Sequence, residues 1–205
     1  MNNYLLRLVP LVLACFFQGA SAAVLSIKLP GNSSTFSTTV GAEFDANIFI
    51  DAVPDFGAFD LTLTYNNTRM SALSLTSGSI FGADTDTNSS AFVPGSGSAN
   101  ILEAISGLSP ATAGLIITAP TLLATLHFKA LSSGVNNLLT LSNLIVSDFG
   151  GNPIDNNTLQ TAFVTINPAA PVPLPASFLM FAPSLWALFG FRKNEKSYAR
   201  IVSVG

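Results

Sequence analysis

A chain of 205 residues with one histidine, His127, and one cysteine, Cys15, has little with which to build a nucleophile–base pair or a Cys/His metal site. His127 sits between Thr125 and Lys129 in an alternating segment, so it is read as a structural residue on the polar side of a strand. Oxygen ligands are better represented. Asp84, Asp86 and Asn88 have the spacing of calcium-loop ligands, but an EF-hand also needs Gly at its sixth position and Glu at its twelfth. Those positions hold Ser89 and Gly95, which excludes an EF-hand and leaves open an irregular Ca²⁺ site. The same reading applies to Asp148, Asn152 and Asp155. Paired carboxylates could hydrolyse a glycosidic bond, yet none stands in a recognisable motif, and no Gly-x-Ser-x-Gly elbow is present. The expectation is a protein that is not an enzyme, with no catalytic residue and no cofactor or metal other than Ca²⁺ at those six positions.

These residues must be held by strands. Phe44, Ala46, Ile48 and Ile50 alternate with Glu43, Asp45 and Asn47. Phe59, Leu61, Leu63 and Tyr65 alternate with Asp60, Thr62 and Thr64, and Leu122, Ala124, Leu126, Phe128 and Ala130 with Thr121, Thr125, His127 and Lys129. A period of two is the mark of a half-buried antiparallel strand. Further strands are expected near 24–29, 36–40, 70–76, 100–106, 138–146 and 159–166, nine in all. Turns are expected at Pro30-Gly31-Asn32, Pro54-Asp55-Phe56-Gly57, Asn66-Asn67 and Gly150-Gly151-Asn152-Pro153. No helix-period segment interrupts them, so the fold class is all-β, a two-sheet sandwich.

Residues 23–168 carry ten acidic and three basic side chains, a net charge near −7. That surface repels nucleic acid and anionic lipid and tolerates neutral sugars and divalent cations. It holds no Trp and one Tyr, Tyr65, on an apolar parity. Phe49, Phe56, Phe81, Phe92 and Phe149 are the rings that could reach a surface near loops.

Both ends read as sorting segments. Residues 1–22 have one charge, Arg7, an apolar run over 8–17 and a small-residue site ending at Ala22, the pattern of a secretory signal peptide cleaved there. Val12-Leu13-Ala14-Cys15 loosely resembles a lipoprotein box, but Phe16 and Phe17 stand where a polar linker belongs, and ordinary cleavage is favoured. Residues 169–175 form a Pro-rich linker. The uncharged apolar stretch 174–191 is long enough to cross a bilayer as a helix. Arg192, Lys193, Lys196 and Arg200 lie in the basic tail 192–205, which the positive-inside rule places in the cytoplasm.

Val172-Pro173-Leu174-Pro175-Ala176, an apolar segment with Gly190 and the basic Arg192-Lys193 occur in fixed order and resemble a PEP-CTERM sorting signal, with Leu174 in place of the common Glu. The resemblance implies recognition by a membrane-embedded exosortase in a Gram-negative bacterium and a link to exopolysaccharide or biofilm. In the middle of the chain, Phe56-Gly57-Ala58-Phe59-Asp60-Leu61-Thr62-Leu63-Thr64-Tyr65-Asn66 resembles a cohesin strand. So does the segment Leu123 to Ala130 followed by Gly134, and Ser147 to Ile154 resembles the hairpin before the last cohesin strand. This implies the nine-stranded jelly-roll sandwich of cohesins and some carbohydrate-binding modules, flanked here by a signal peptide and a transmembrane helix.

The expected protein is therefore an exported, exosortase-sorted, non-catalytic surface or matrix protein. It is held at the inner membrane by its C-terminal helix before processing, and its sandwich then binds or builds outside the cell. The alternatives are a carbohydrate-binding module, a cohesin-type module for a dockerin-like partner and, last, a secreted glycoside hydrolase. An exposed aromatic row would favour the first, an exposed apolar patch on a sheet face the second, and clustered carboxylates in a deep cleft the third.

Overall fold

The computed structural model describes residues 23–82, 85–88, 91–105, 113–154 and 157–171, with backbone alone for 85–88. The proposed signal peptide with Ala22, the motif from Val172 to Ala176, the 174–191 stretch and the tail with Arg192 and Lys193 lie outside the described residues, as do Asp84 and Asp155.

Thirteen strands are found among the described residues: β1 (Val24–Lys28), β2 (Thr35–Thr39), β3 (Glu43–Asp51), β4 (Val53–Thr64), β5 (Met70–Ser77), β6 (Thr85–Asn88), β7 (Ala91–Phe92), β8 (Ser98–Ile105), β9 (Leu115–Ile117), β10 (Thr121–Ala130), β11 (Gly134–Asp148), β12 (Thr158–Leu159) and β13 (Ala162–Asn167). The nine expected strands are all present. The additional β6, β7, β9 and β12 have two to four residues each, too few for an alternation to be recognised in sequence. The strand expected over 159–166 is divided, its first part pairing in one sheet and its second in the other.

The smaller sheet runs β12-β1-β3-β10-β5, and the larger runs β2-β13-β11-β4-β8-β6, with β7 on β8 and β9 on β4. Their inner faces meet in one apolar core, in which Leu25, Ile48, Phe56, Phe59, Leu61, Phe128 and Leu139 are at most 2% exposed. Burying a side chain of this size stabilises the fold by about 1.5–3 kcal/mol. Phe128 stacks on Phe44 with centroids 5.5 Å apart and takes the Tyr65 ring edge-on at 5.0 Å. Phe56, Phe59 and Phe81 form a second aromatic group toward the start of β4. Phe56 and Phe81 are therefore core residues, not surface rings.

Two local expectations are corrected. Pro54 to Gly57 does not make a turn; it lies inside β4. The reversal between β3 and β4 falls at Ala52, at φ 59°, whose N–H donates to Asp51 Oδ1 at 2.8 Å. Asp55, at φ 55°, makes the second segment an irregularity within a strand. Gly57 is required there because a Cβ would strike the Asp148 carbonyl of β11. In β10, a bulge between Leu122 and Ala124 buries Leu123 beside Ala124 and leaves Leu122 outside, paired with Phe49.

Candidate functional site

Alternation gives each sheet an outer face, and the two faces differ in chemistry. On the larger sheet, β4 presents Ala58, Asp60, Thr62 and Thr64 outward, while β8 presents Ser98, Asn100, Leu102 and Ala104. In β11 a strict period of two continued from Leu139 and Leu141 would bury Ile145. The extra residue at Asn143, with φ 49°, shifts the parity. Leu144 and Val146 then turn toward the core, and Ile145 is 59% exposed.

Register assembles these residues into rows across three strands. Ile145, Asp60 and Leu102 form one row and Ser147, Ala58 and Ala104 the next. Beyond them lie Ser142, Thr62 and Asn100, then Thr140, Thr64 and Ser98. The first two rows border a hollow of about 260 Å³. The other rows are hydroxyl-rich and fixed by hydrogen bonds: Thr64 Oγ1 donates to the Thr140 carbonyl at 3.2 Å and Ser142 Oγ to that of Thr62 at 3.3 Å. Asn100 Nδ2 donates to Asp60 Oδ1 at 2.6 Å, which joins the polar rows to the rim of the apolar hollow. An aliphatic recess beside preorganised hydroxyl and carboxylate groups can hold a partner's apolar side chain and accept its donors.

The smaller sheet is charged outside. His127 bridges two β3 carboxylates, with Nδ1 2.7 Å from Asp45 Oδ1 and Nε2 3.2 Å from Glu43 Oε2, and Lys129 Nζ lies 3.6 Å from Glu43 Oε1. The hydrogen bonds that its ring nitrogens make to Asp45 and then to Glu43 hold the imidazole above its ordinary pKa. Both ring nitrogens are engaged by carboxylates, so the group is a solvent-exposed ionic pin between β3 and β10, in keeping with a structural reading of His127. A second hollow, of about 400 Å³, opens over β1 and β3.

Matches to known proteins agree with this architecture. Residues 32–166 match the family model of the cohesin domain. The chain belongs to the cohesin family. Its fold is similar to that of the cohesin in a type I cohesin–dockerin complex from Clostridium thermocellum, at 17% identity and a TM-score of 0.57 over 72% of this chain and 95% of that one. It is also similar to a non-cellulosomal cohesin from Archaeoglobus fulgidus, at 15% identity and a TM-score of 0.53 over 72% and 92% of the two chains. For a cohesin module of a family 33 glycoside hydrolase from Clostridium perfringens the figures are 22%, 0.54, 72% and 98%. The curated protein sequences contain no match to the chain.

The remaining candidate residues of the cohesin domain are dispersed. Asp148 and Asn152 meet, but as donor and acceptor. The Asp148 carboxylate accepts from the Asn152 side-chain Nδ2 at 2.9 Å and then from its backbone N–H at 2.8 Å, contacts that close the loop and hold the carboxyl below its usual range. Asp86 and Asn88 lie on β6, one strand removed from β4, and only their backbone is described. Among the described residues no group of three His, Cys, Asp or Glu side chains could hold a metal. Phe49 and Phe92 are half-buried and Phe149 is 37% exposed, and these three do not form a row.

Glu103 is the titratable group that the sequence reading passed over. It is 1% exposed, accepts from Ser77 Oγ through Oε1, and has Oε2 buried without a partner. Burial pushes its carboxyl above the usual range, with the Ser77 bond opposing. The signal was present in the sequence: Glu103 follows Ala99 and Ile101 on the inward parity of β8.

Proposed function

We propose that the cohesin domain is a non-catalytic protein-binding module, that the outer face of β11, β4 and β8 is its docking surface, and that its partner is a dockerin-like module. One observation carries this reading: the recess bordered by Ile145, Leu102, Ala58 and Ala104, beside rows that carry hydroxyls, the Asn100 amide and the Asp60 carboxylate. Exposing Ile145 has no benefit to the fold, and a strand bulge places it outside. The dockerin-bound state of the Clostridium thermocellum cohesin supports the choice of partner. Surface plasmon resonance of the chain against a panel of type I and type II dockerin modules tests it. Saturable binding abolished by Ile145→Asp is expected; binding to none of the panel, or binding indifferent to that substitution, defeats the proposal.

The ends supply the setting. The 1–22 leader, the motif from Val172 to Ala176, the 174–191 apolar stretch and the Arg192-Lys193 pair support export from a Gram-negative cell, membrane anchoring in transit and exosortase processing near Pro173 to Pro175. The processed module then works at the cell surface or in an exopolysaccharide matrix. An intact-mass measurement on protein recovered from the producing cells decides the step: a species that keeps residues 191–205 rules out processing.

A further inference from the structure

A second hollow lies on the opposite sheet. Its volume is about 400 Å³, and it is bordered by Ser26, Lys28, Asn32, Phe49, Asp51 and Gln160, with Val24 and Pro120 completing the wall. Register explains why there is space. On β1 the outward residues are Val24, Ser26 and Lys28, and on β3 their partners are Asp51, Phe49 and Asn47. The smallest side chain of the three, Ser26, stands beside the largest of the partners, Phe49. The trough opens on the β1 side of Phe49, and on the β10 side its register partner is Leu122. Gln160, whose N–H is fixed to the Leu25 carbonyl at 2.9 Å, forms the β12 side, and Asn32, at φ 59°, stands in the turn after β1. Val24 and Lys28 are four residue steps apart on β1, so the trough is about 13 Å long.

The lining selects a ligand class. A half-buried ring on the outer face of β3 offers an apolar surface, and around it stand two amides, a hydroxyl, an ammonium and a carboxylate. Lys28 and Asp51 lie toward opposite ends, so a ligand of either charge would meet a like charge at one end. An uncharged molecule with hydroxyls along its edge can donate to Asp51 and accept from Lys28, while its C–H face covers Phe49. The net charge near −7 also disfavours anions. An extended peptide gains little, because β1 and β3 spend their backbone groups on each other, β12 and β10. The volume falls within the range of small-molecule sites.

We propose that this trough binds a neutral glycan segment, independently of the docking face on the larger sheet. The test is affinity electrophoresis of the full chain, purified in mild detergent, through gels containing hydroxyethylcellulose, galactomannan or soluble starch, with alginate as the anionic counterpart. Retardation in at least one neutral polymer is expected. Both Phe49→Ala, which removes the ring, and Ser26→Leu, which fills the trough without disturbing the core, should weaken it about tenfold or more. Ile145→Asp should run as the unsubstituted chain does. Retardation by none of the neutral polymers, by alginate alone, or equally in the Ser26→Leu and Phe49→Ala chains overturns the proposal. So does retardation lost in Ile145→Asp and kept in Ser26→Leu.

Discussion

The outer faces of the two sheets are built on the same inward pattern, yet they have opposite characters. On the larger sheet the four rows across β11, β4 and β8 present aliphatic side chains and neutral hydroxyls around one carboxylate, Asp60, with no ring among them; the outward ring of Phe163 lies beyond them on β13, paired with Leu138. The smaller sheet presents the Glu43–His127–Asp45 pin, Lys129, Lys28, Asp51 and the Phe49 ring. A common core therefore leaves the outward parity free to specialise. A bulge at Asn143 sends Ile145 out on one sheet, and a bulge between Leu122 and Ala124 sends Leu122 out on the other. Local register, more than overall composition, decides which side chains a partner meets.

The difference can be broken most directly at Ile145. Ile145→Asp should weaken partner binding by about 30-fold or more, the effect of losing a central anchor. Thermal stability should be unchanged because the side chain is already exposed. A titration against the bound partner, paired with a melting curve, checks both halves; a large fall in melting temperature would mean that Ile145 serves the fold.

The bulge that creates this face gives the next effect. Asn143→Val forces a β-branched side chain to φ near 49° and should cost about 1–2 kcal/mol, whereas Asn143→Gly should be nearly neutral. Urea denaturation of both variants distinguishes backbone strain from loss of the amide side chain. Equal losses would remove the parity argument.

Glu103 lies beneath the docking face. With its folded pKa raised, the protonated carboxyl suits the fold. Its contribution is present below the ordinary carboxylate value and falls as pH rises from there through the raised value. Glu103→Gln should raise the melting temperature near neutral pH by roughly 2–4 °C and flatten that pH dependence. Melting curves from pH 4 to 8 follow it, and an unchanged slope would refute the assignment.

The smallest effect belongs to the other sheet. The His127 pKa, raised by Asp45 and Glu43, implies a contribution present below its ordinary value and lost as pH rises through the folded one. Being exposed, the pin should contribute little to stability. An NMR titration should find its midpoint above the ordinary value and moving back in Asp45→Asn. No movement would take the charged pin out of the comparison.

Long alternations made most of the fold legible. Phe44 to Ile50, Phe59 to Tyr65 and Leu126 to Ala130 lie inward as their spacing requires. The misreadings cluster where one residue breaks the period. Asp55 and Gly57 carry turn chemistry, but inside a strand pressed against β11. Leu122 lost its inward place to Leu123 through a bulge. The docking recess was not legible, because exposing Ile145 depends on one inserted residue that sequence periodicity does not mark. The Phe49 trough was half legible: the ring could be named as a surface candidate, but Ser26 beside it follows only from strand pairing.

The segment from β12 to β13 crosses from one sheet to the other, and each part runs parallel to a strand from the start of the domain. Thr158–Leu159 lies along Val24–Leu25, and Phe163–Asn167 along Thr35–Thr39. Tension between the beginning of β1 and the end of β13 cannot peel these pairs open one hydrogen bond at a time. It must slide parallel strands past each other and load their bonds together, including those from Thr158 and Gln160 to the Ala23 and Leu25 carbonyls, each 2.9 Å. The arrangement makes the module a shear clamp, suited to carry mechanical load along its own chain.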